Sequence, residues 1–417
     1  MKAVVFTLGC KVNRYESDYI TQELSKKGYE VSDQLEYADI YVLNTCAVTA
    51  EAERKSRQAV SRCLKYNENA RIFVIGCASQ KNAKSFIKDN VVYISGTGAK
   101  NQILSHLSDD FRMESNVIPH EYEDTFLYTP SRTRSFVKIQ DGCNNFCSYC
   151  IIPYLRGRSR SRNSDEIVKE ATVLASKTPE IVLTGINTMA YGKDIGDNLP
   201  NLVNKLRSLD VRIRMSSFYA EGITAELLDA FYSLKHFCPH FHLSLQSGDN
   251  NVLRDMNRHY TSEIYADKIN LIRSYDKKAT ITTDVIVGYP TETEENYQNT
   301  EDFCRRVRFS DLHIFPFSAR EGTVAARLKK LPPSTVYERE KRLFELKKQL
   351  RNEHLLRNIS MPQKVLIEEK TDDLFVGYSE NYTKIYIKND HSIIGSVVET
   401  IPKEIYSDGL LYKGESL

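Results

Sequence analysis

The sequence lacks any apolar run long enough to cross a bilayer, which takes about 20 residues as a helix. The stretch at 72–78 is typical of its longest. It also lacks a dominant charge: 57 Lys and Arg against 55 Asp and Glu leave +2, which excludes a strongly basic chain. The opening MKAVVFTLGC has one basic residue and too short an apolar run for a signal peptide. An intracellular, cytoplasmic protein is therefore expected, and nothing in the sequence demands more than a monomer. With 41% hydrophobic and 27% charged residues, the composition is neither disordered nor collagen-like. At roughly 100–200 residues per domain, 417 residues imply two to four domains.

What is present is more informative. Residues 361–417 hold 6 Lys and no Arg against 10 acids, so residues 1–360 carry +6 and are the better grip for a polyanion. Nine cysteines without a secretory signal point to metal or redox chemistry rather than disulfides.

Short β-branched runs at 3–6, 40–44, 72–75 and 92–94 alternate with helical spacing at 16–27, 51–65 and 80–88. This pattern predicts an α/β unit over 1–115 built on an open parallel sheet. Residues 100–130, mixed in charge, Ser and Pro, read as a connector. A second alternating series has strands at 136–139, 181–184, 212–216, 241–245, 281–287 and 312–317. Helices are expected at 165–175, 199–209, 225–234, 262–275 and 293–307, and one closing helix at 336–358. Six repeats predict a partial (β/α)6 TIM-like barrel over 130–358. Five short strands at 365–369, 375–378, 384–387, 396–400 and 410–412 suggest a small OB-like β-barrel over 360–417.

The sharpest signal is Cys143-x3-Cys147-x2-Cys150, directly after the first barrel strand, at the face where barrel active sites are built. Three thiolates can hold three irons of a [4Fe–4S] cluster and leave the fourth open. Structural zinc sites pair CxxC units or add His within reach, and no His lies between His120 and His236. Cys10, Cys46 and Cys77 each follow a successive strand of the N-terminal sheet, where ligands of open sheets collect, and could converge on a second incomplete cage. Cys63, Cys238 and Cys304 read as packed thiols.

CNNFCSYC matches the signature of the radical S-adenosylmethionine (SAM) superfamily, in which the open iron is chelated by SAM. With TLGCKVN, NTCAVT, LSLQSGDNNVLRDMNRHYT and DVIVGYPTETEENY, the whole chain resembles the methylthiotransferases. GYSENYTKIYI looks like the TRAM domain, an RNA-binding barrel. The form TLGCKVN, with Lys11 and Val12, is similar to the branch acting on N6-threonylcarbamoyladenosine next to the tRNA anticodon. The runner-up branches act on isopentenyladenosine or on a ribosomal protein.

The resemblance implies two [4Fe–4S] clusters, two SAM molecules and transfer of a methylthio group to C2 of the adenine. It also implies tRNA, through its anticodon loop, as partner, and a small-protein electron donor such as flavodoxin or ferredoxin. An iron–sulfur electron carrier is the alternative of a different class. Tyr149 is implied to lie beside the SAM adenine. From strand-end position, Gly185, Asn187, Gln246, Asp284 and Gly288 are candidate SAM contacts. Where relatives carry Ser-Ile-Glu-Pro, this chain has Ser217-Phe218-Tyr219-Ala220, with Glu221 next. Two basic stretches could meet phosphate: 132–162, with Arg156, Arg158, Arg160 and Arg162, and 327–357. In the acidic C-terminal segment, Asn381, Tyr382, Lys384 and Tyr386 are the candidates for RNA contact; otherwise that segment is positional.

Overall fold

The N-terminal β-branched runs form a six-stranded, wholly parallel sheet in a computed structural model that describes residues 1–98, 100–108, 113–115, 117–130, 132–388 and 393–414. Its order is Glu30–Ser32, Lys2–Thr7, Ile40–Thr45, Arg71–Gly76, Val91–Ser95 and Met113–Ser115. The four inner strands are the expected ones. Ile40–Thr45, at the centre, is buried along its whole length, as a strand covered on both faces must be. The two outer strands were not expected: three residues each is too short for a period to register. One of them lies inside the presumed connector.

Helices Lys11–Lys26 and Ala50–Tyr66 flank this sheet, the second capped by Thr49, whose hydroxyl accepts from the Ala52 amide. The helix expected at 80–88 is instead two short pieces, Cys77–Lys81 and the 3-10 turn Ala83–Phe86. Asn82 separates them in non-helical conformation and caps the second through Ser85 N.

The six central strands are Ser135–Lys138, Glu180–Thr184, Arg212–Met215, His240–His242, Thr280–Val287 and Asp311–Pro316. They pair in parallel as two groups of three. The bridges Ile213–Phe237 and Phe218–Leu243 join the groups into one arc in chain order. Val137, Leu183, Ile213, Met215, Phe241 and Leu243 point outward into one core with the helices. Alternation therefore turns Lys138, Val182, Arg214, His242 and Asp284 into the lumen. Helix Pro333–Asn358 packs on the last strand, and helix Lys11–Lys26 packs on the first.

The C-terminal sheet has six strands, one more than expected: Val397–Thr400, Gln363–Thr371, Leu374–Ser379, Lys384–Ile387, Gly409–Tyr412 and Glu404–Tyr406. All pairs are antiparallel except Lys384–Ile387 with Gly409–Tyr412. Its 379–382 turn enters the barrel at the end where the strands begin. Arg214 donates to the carbonyls of Glu380 (3.0 Å) and Ser379 (3.2 Å), and Tyr382 stacks on His240 at 4.5 Å. Beneath this plug sits Glu180, fully buried among Arg214 (2.8 Å), Arg212 (3.0 Å) and Arg134 (3.3 Å). Burial alone would raise its pKa; Arg214, Arg134 and Arg212 override that and hold it at about 2.

Removing one partner of a buried ion cluster leaves charge without compensation. Glu180→Gln should therefore lower unfolding free energy at pH 7 by about 3–5 kcal/mol in urea titrations. A depressed carboxyl stabilises above its unfolded pKa and stops doing so as pH falls towards 2. The gap between wild type and variant should accordingly shrink from about pH 4.5 downward.

Candidate active site

The three N-terminal cysteines stand at the carboxyl ends of adjacent parallel strands. Cys10 is the N-cap of helix Lys11–Lys26 and is exposed; Cys46 and Cys77 are buried. The chain turns at Gly9 with φ +107°, where a Cβ would meet Cys46 Cβ at 2.8 Å and Sγ at 2.9 Å, so only glycine lets this loop close on Cys46. Gly76, with φ +105°, delivers Cys77. Asn13 pins the arrangement by donating to the carbonyls of Leu8 (2.9 Å) and Thr45 (3.0 Å).

The thiols lie close enough that each opposes ionisation of the next. Burial pushes Cys46 up to about 12 and raises Cys77, whereas Arg156 favours both thiolates. Beside them is a buried network in which Glu16 and Asp141 face Arg156, Lys138 and Lys100. Three cations against two carboxylates leave positive charge over, which suits thiolates bound to metal. Burial opposes the Glu16 charge, but Arg156, Lys100 and Lys138 hold its pKa at about 2.

The barrel cysteines occupy the loop after the two-residue strand Gln140–Asp141. Cys143 N donates to Gly157 O (3.1 Å) and Cys150 N to Cys147 O (2.9 Å). Ser148 N bonds Met256 O (3.0 Å), tying the loop to the 250–258 segment. Burial raises Cys143 and pushes Cys150 up to about 12, so metal binding must displace protons here too.

Three donors converge on these sulfurs: Asn145 N (3.4 Å) and Asn187 Nδ2 (3.8 Å) on Cys143, and Arg258 Nη1 (3.4 Å) on Cys147. Arg258 was not singled out from the sequence. Its guanidinium also lies 4.9 Å from the Tyr219 ring. Glu221 is exposed.

Among the described residues, one group of His, Cys, Asp and Glu has its ligand atoms all within 4.8 Å, and it contains no cysteine. A single zinc at about 2.3 Å from three thiolates would hold them about 3.8 Å apart. Neither cysteine triplet is drawn together that tightly.

The other candidates separate. Asn187 Oδ1 is buried with no partner, an acceptor free for a bound amine or hydroxyl beside Cys143. Gln246 lies four residues past strand His240–His242, buried in left-handed conformation with φ +69°, a constrained position bridged to Val285. Tyr149 is flanked by Arg258, Cys147, Cys150 and Tyr219. Gly185 gives room to Gln140, whose Oε1 would stand 3.0 Å from a Cβ. Gly288, φ +74°, gives room to Val336 of the closing helix. Asp284 sits mid-strand, deeper in the lumen, between His242 Nε2 (3.3 Å) and His313 Nδ1 (3.2 Å).

A cavity of about 940 Å³ occupies the lumen. Gly9, Cys10 and Lys11 border it on one side, Arg214, His242 and His313 on another, and Tyr378 and Tyr382 form the floor. Lys11 Nζ reaches across to Ser216 O (3.4 Å), three residues before Tyr219. The cavity holds a nucleoside comfortably. A separate cleft of about 700 Å³ near Tyr122, Asn163 and Lys205 has no cysteine in its lining.

The basic stretch 132–162 is mostly not available to phosphate. Arg156, Arg160 and Arg162 are buried, paired with Glu16 and Asp141, Asp141, and Glu170. Arg158 is exposed. In the C-terminal sheet Tyr382 is stacked inward and Asn381 is buried, while Lys384 and Tyr386 both bond Asp408 (3.0 and 2.6 Å). The positional role expected as the alternative for this segment accounts for these contacts.

A model for an uncharacterized protein family, UPF0004, matches residues 2–96, and the radical SAM superfamily model matches 137–304. A solved radical S-adenosylmethionine methyltransferase, TsrM from Kitasatospora setae, shares the fold with TM-score 0.55 at 13% identity, over 75% of this chain and 72% of its own. Together with the cysteine loop that follows the first barrel strand, the superfamily match makes the central unit a radical SAM domain, the class that uses SAM and an iron–sulfur cluster.

Two relatives are named threonylcarbamoyladenosine tRNA methylthiotransferase MtaB. The Bacillus subtilis protein is 39% identical, over 96% of this chain and 93% of its own, and that of Aquifex aeolicus 38%, over 96% and 100%. A Thermoanaerobacter protein named tRNA-2-methylthio-N(6)-dimethylallyladenosine synthase is 35% identical over 94% of this chain and 88% of its own. The chain belongs to the radical SAM tRNA methylthiotransferase family, MtaB type. No helix among the described residues is long and apolar enough to cross a membrane.

Residues that orient metal ligands are typically worth 10–100-fold. Arg258→Met should slow SAM cleavage by roughly that factor, measured as 5′-deoxyadenosine under reducing anaerobic conditions. Total iron should stay unchanged.

Proposed function

We propose that the protein adds a methylthio group to C2 of N6-threonylcarbamoyladenosine next to the tRNA anticodon, using two SAM molecules and two [4Fe–4S] clusters. One observation carries this reading: Cys10 of the N-terminal triplet lines a nucleoside-sized lumen, and the wall strand Ser135–Lys138 leads directly into the loop of Cys143, Cys147 and Cys150. Cys143, Cys147 and Cys150 would hold the cluster that engages SAM; Cys10, Cys46 and Cys77 would hold the second. When bound, these groups supply one-electron and sulfur chemistry that lets an unactivated aromatic C–H bond be replaced, which no side chain performs.

The chain's own residues do the rest. Arg258 and Asn187 donate to the barrel sulfurs, stabilising their negative charge and fixing their orientation. Asn187 Oδ1 and Gln246 offer polar groups to SAM, and Tyr149 an aromatic face. Arg156 and Lys100 supply positive charge to the N-terminal thiols. The 379–382 turn closes the floor, so water is excluded from below and the base enters from the side bordered by Lys11.

Three units, 1–115, 130–358 and 360–417, divide the work with interlocking cores: Tyr15 packs into the barrel core, Ile151 and Leu155 pack with the N-terminal sheet, and Leu355 packs with the C-terminal strands. A small flavodoxin- or ferredoxin-type protein delivers the electron, and the enzyme acts as a monomer. The cationic lumen favours a charged substituent on the base over the dimethylallyl group in the names of other relatives. An electron carrier would need no such chamber.

Cys10→Ala should preserve 5′-deoxyadenosine formation while abolishing the methylthio mark in nucleoside mass spectrometry of tRNA. Cys147→Ala should abolish both. Loss of SAM cleavage in Cys10→Ala, or an unchanged nucleoside profile in a strain lacking the protein, would contradict the reading.

A further inference from the structure

Among the described residues the Lys and Arg side chains that line the lumen are, Lys11 excepted, already paired with carboxylates. Arg14 bonds Asp18 (2.9 Å) and Asp33 (3.1 Å), and Arg132 also meets Asp33. Arg134 holds Glu180 (3.3 Å) and Glu368, and Arg214 holds Glu180 (2.8 Å). His242 and His313 share Asp284 (3.3 and 3.2 Å).

Lys11 differs. Its ammonium contacts the Ser216 carbonyl at 3.4 Å, and no carboxylate among the described residues lies within ion-pair distance of it. Arg134 and Arg214 are near enough to repel it, and Asp284 and Cys10 near enough to draw it without pairing with it. Lys11 is exposed to the cavity, so its ammonium is open to an anion that enters. The helix that Lys11 begins adds to the pull: its N-cap, Cys10, makes no side-chain cap bond and its first turn has no acidic residue. The positive end of that 16-residue helix is therefore uncompensated on the same side of the cavity.

From this arrangement we infer that Lys11 forms a carboxylate subsite in the lumen, which takes the free carboxylate of the amino-acid substituent on N6 of the substrate base. The inference rests on the function proposed above and extends it to a specificity-determining contact. Lys11 directly follows Cys10, so its ammonium stands beside the thiol set towards which C2 must face. In the purine ring only N1 separates C2 from C6, the carbon that bears the N6 substituent. A base presenting C2 to the Cys10 side thus carries its substituent past Lys11. An apolar substituent would leave the ammonium without a counter-ion, so the same residue that attracts the acid rejects the hydrocarbon.

The competing explanation is that Lys11 balances the charge of the neighbouring thiolates and takes no part in choosing the base. Anticodon stem-loop RNAs separate the two: one carries N6-threonylcarbamoyladenosine, a second carries its methyl ester, a third carries isopentenyladenosine. All are methylthiolated by the reconstituted holoenzyme under reducing conditions. A charge-assisted hydrogen bond lost on esterification predicts that wild type prefers the acid over the ester by about 10–100-fold in kcat/KM. Lys11→Gln should lose that preference by slowing on the acid while keeping its rate on the ester, and Lys11→Arg should retain it.

Equal slowing of Lys11→Gln on acid and ester would overturn the subsite in favour of the thiolate role. Equal use of acid and ester by wild type would overturn it without any variant. Modification of the isopentenyladenosine stem-loop alone by wild type would overturn the proposed function itself, and the subsite with it.

Discussion

Arg156 is the contact on which the rest of the structure depends. It lies six residues after Cys150, has no exposed surface, and places its guanidinium between Asp141 (2.9 Å), Glu16 (3.1 Å) and Asn13 (2.5 Å). Asp141 comes two residues before Cys143; Asn13 and Glu16 belong to the helix that begins after Cys10. One side chain therefore ties the loop of one cysteine triplet to the helix of the other, through buried charge-assisted bonds. Lys100 and Lys138 complete the network and leave it net positive beside the N-terminal thiols. The two sets of sulfurs hold a fixed relation because neither can move without breaking this knot.

The lumen follows from the same economy of charge. Polar strand residues that would be untenable in a filled barrel are tolerated because each meets a partner: Glu180 its arginines, Asp284 its histidines, His240 the ring of Tyr382. The C-terminal sheet provides the floor by pushing its 379–382 turn among them. A chamber results that is closed below, bounded by Cys10 at its side and linked by Lys11 and the 216–219 segment to Arg258, which donates to Cys147. Within it, electrostatic interactions act with less screening than in bulk water.

Much of this was legible in the sequence because the relevant signals are local. Runs such as Ile40–Thr45 can only be buried parallel strands, and the spacing of Cys143, Cys147 and Cys150 is meaningful within eight residues. The phase of Cys10, Cys46 and Cys77 after successive strands was readable for the same reason. Illegible features depended on partners distant in sequence. The arginines at 156, 160 and 162 read as a basic surface, since nothing nearby announces that Glu16, Asp141 and Glu170 await them inside. Arg258 gave no signal because its target, Cys147, is 111 residues away. Gly185 and Gly288 sit at strand ends as expected, yet the space they leave is taken by Gln140 and Val336. Tyr382 and Asn381 turn inward because the barrel floor offers His240 and Arg214 neighbours that the C-terminal sequence alone does not contain.

That each triplet holds its own cluster is tested most directly by iron and acid-labile sulfide content after anaerobic reconstitution. The measurement compares wild type with two variants in which one triplet or the other is replaced by alanine. At four irons per cube, wild type should carry roughly eight irons and eight sulfides per chain, and either triple variant roughly half of that. Wild type with only about four irons, all retained when Cys10, Cys46 and Cys77 are removed, would contradict the account.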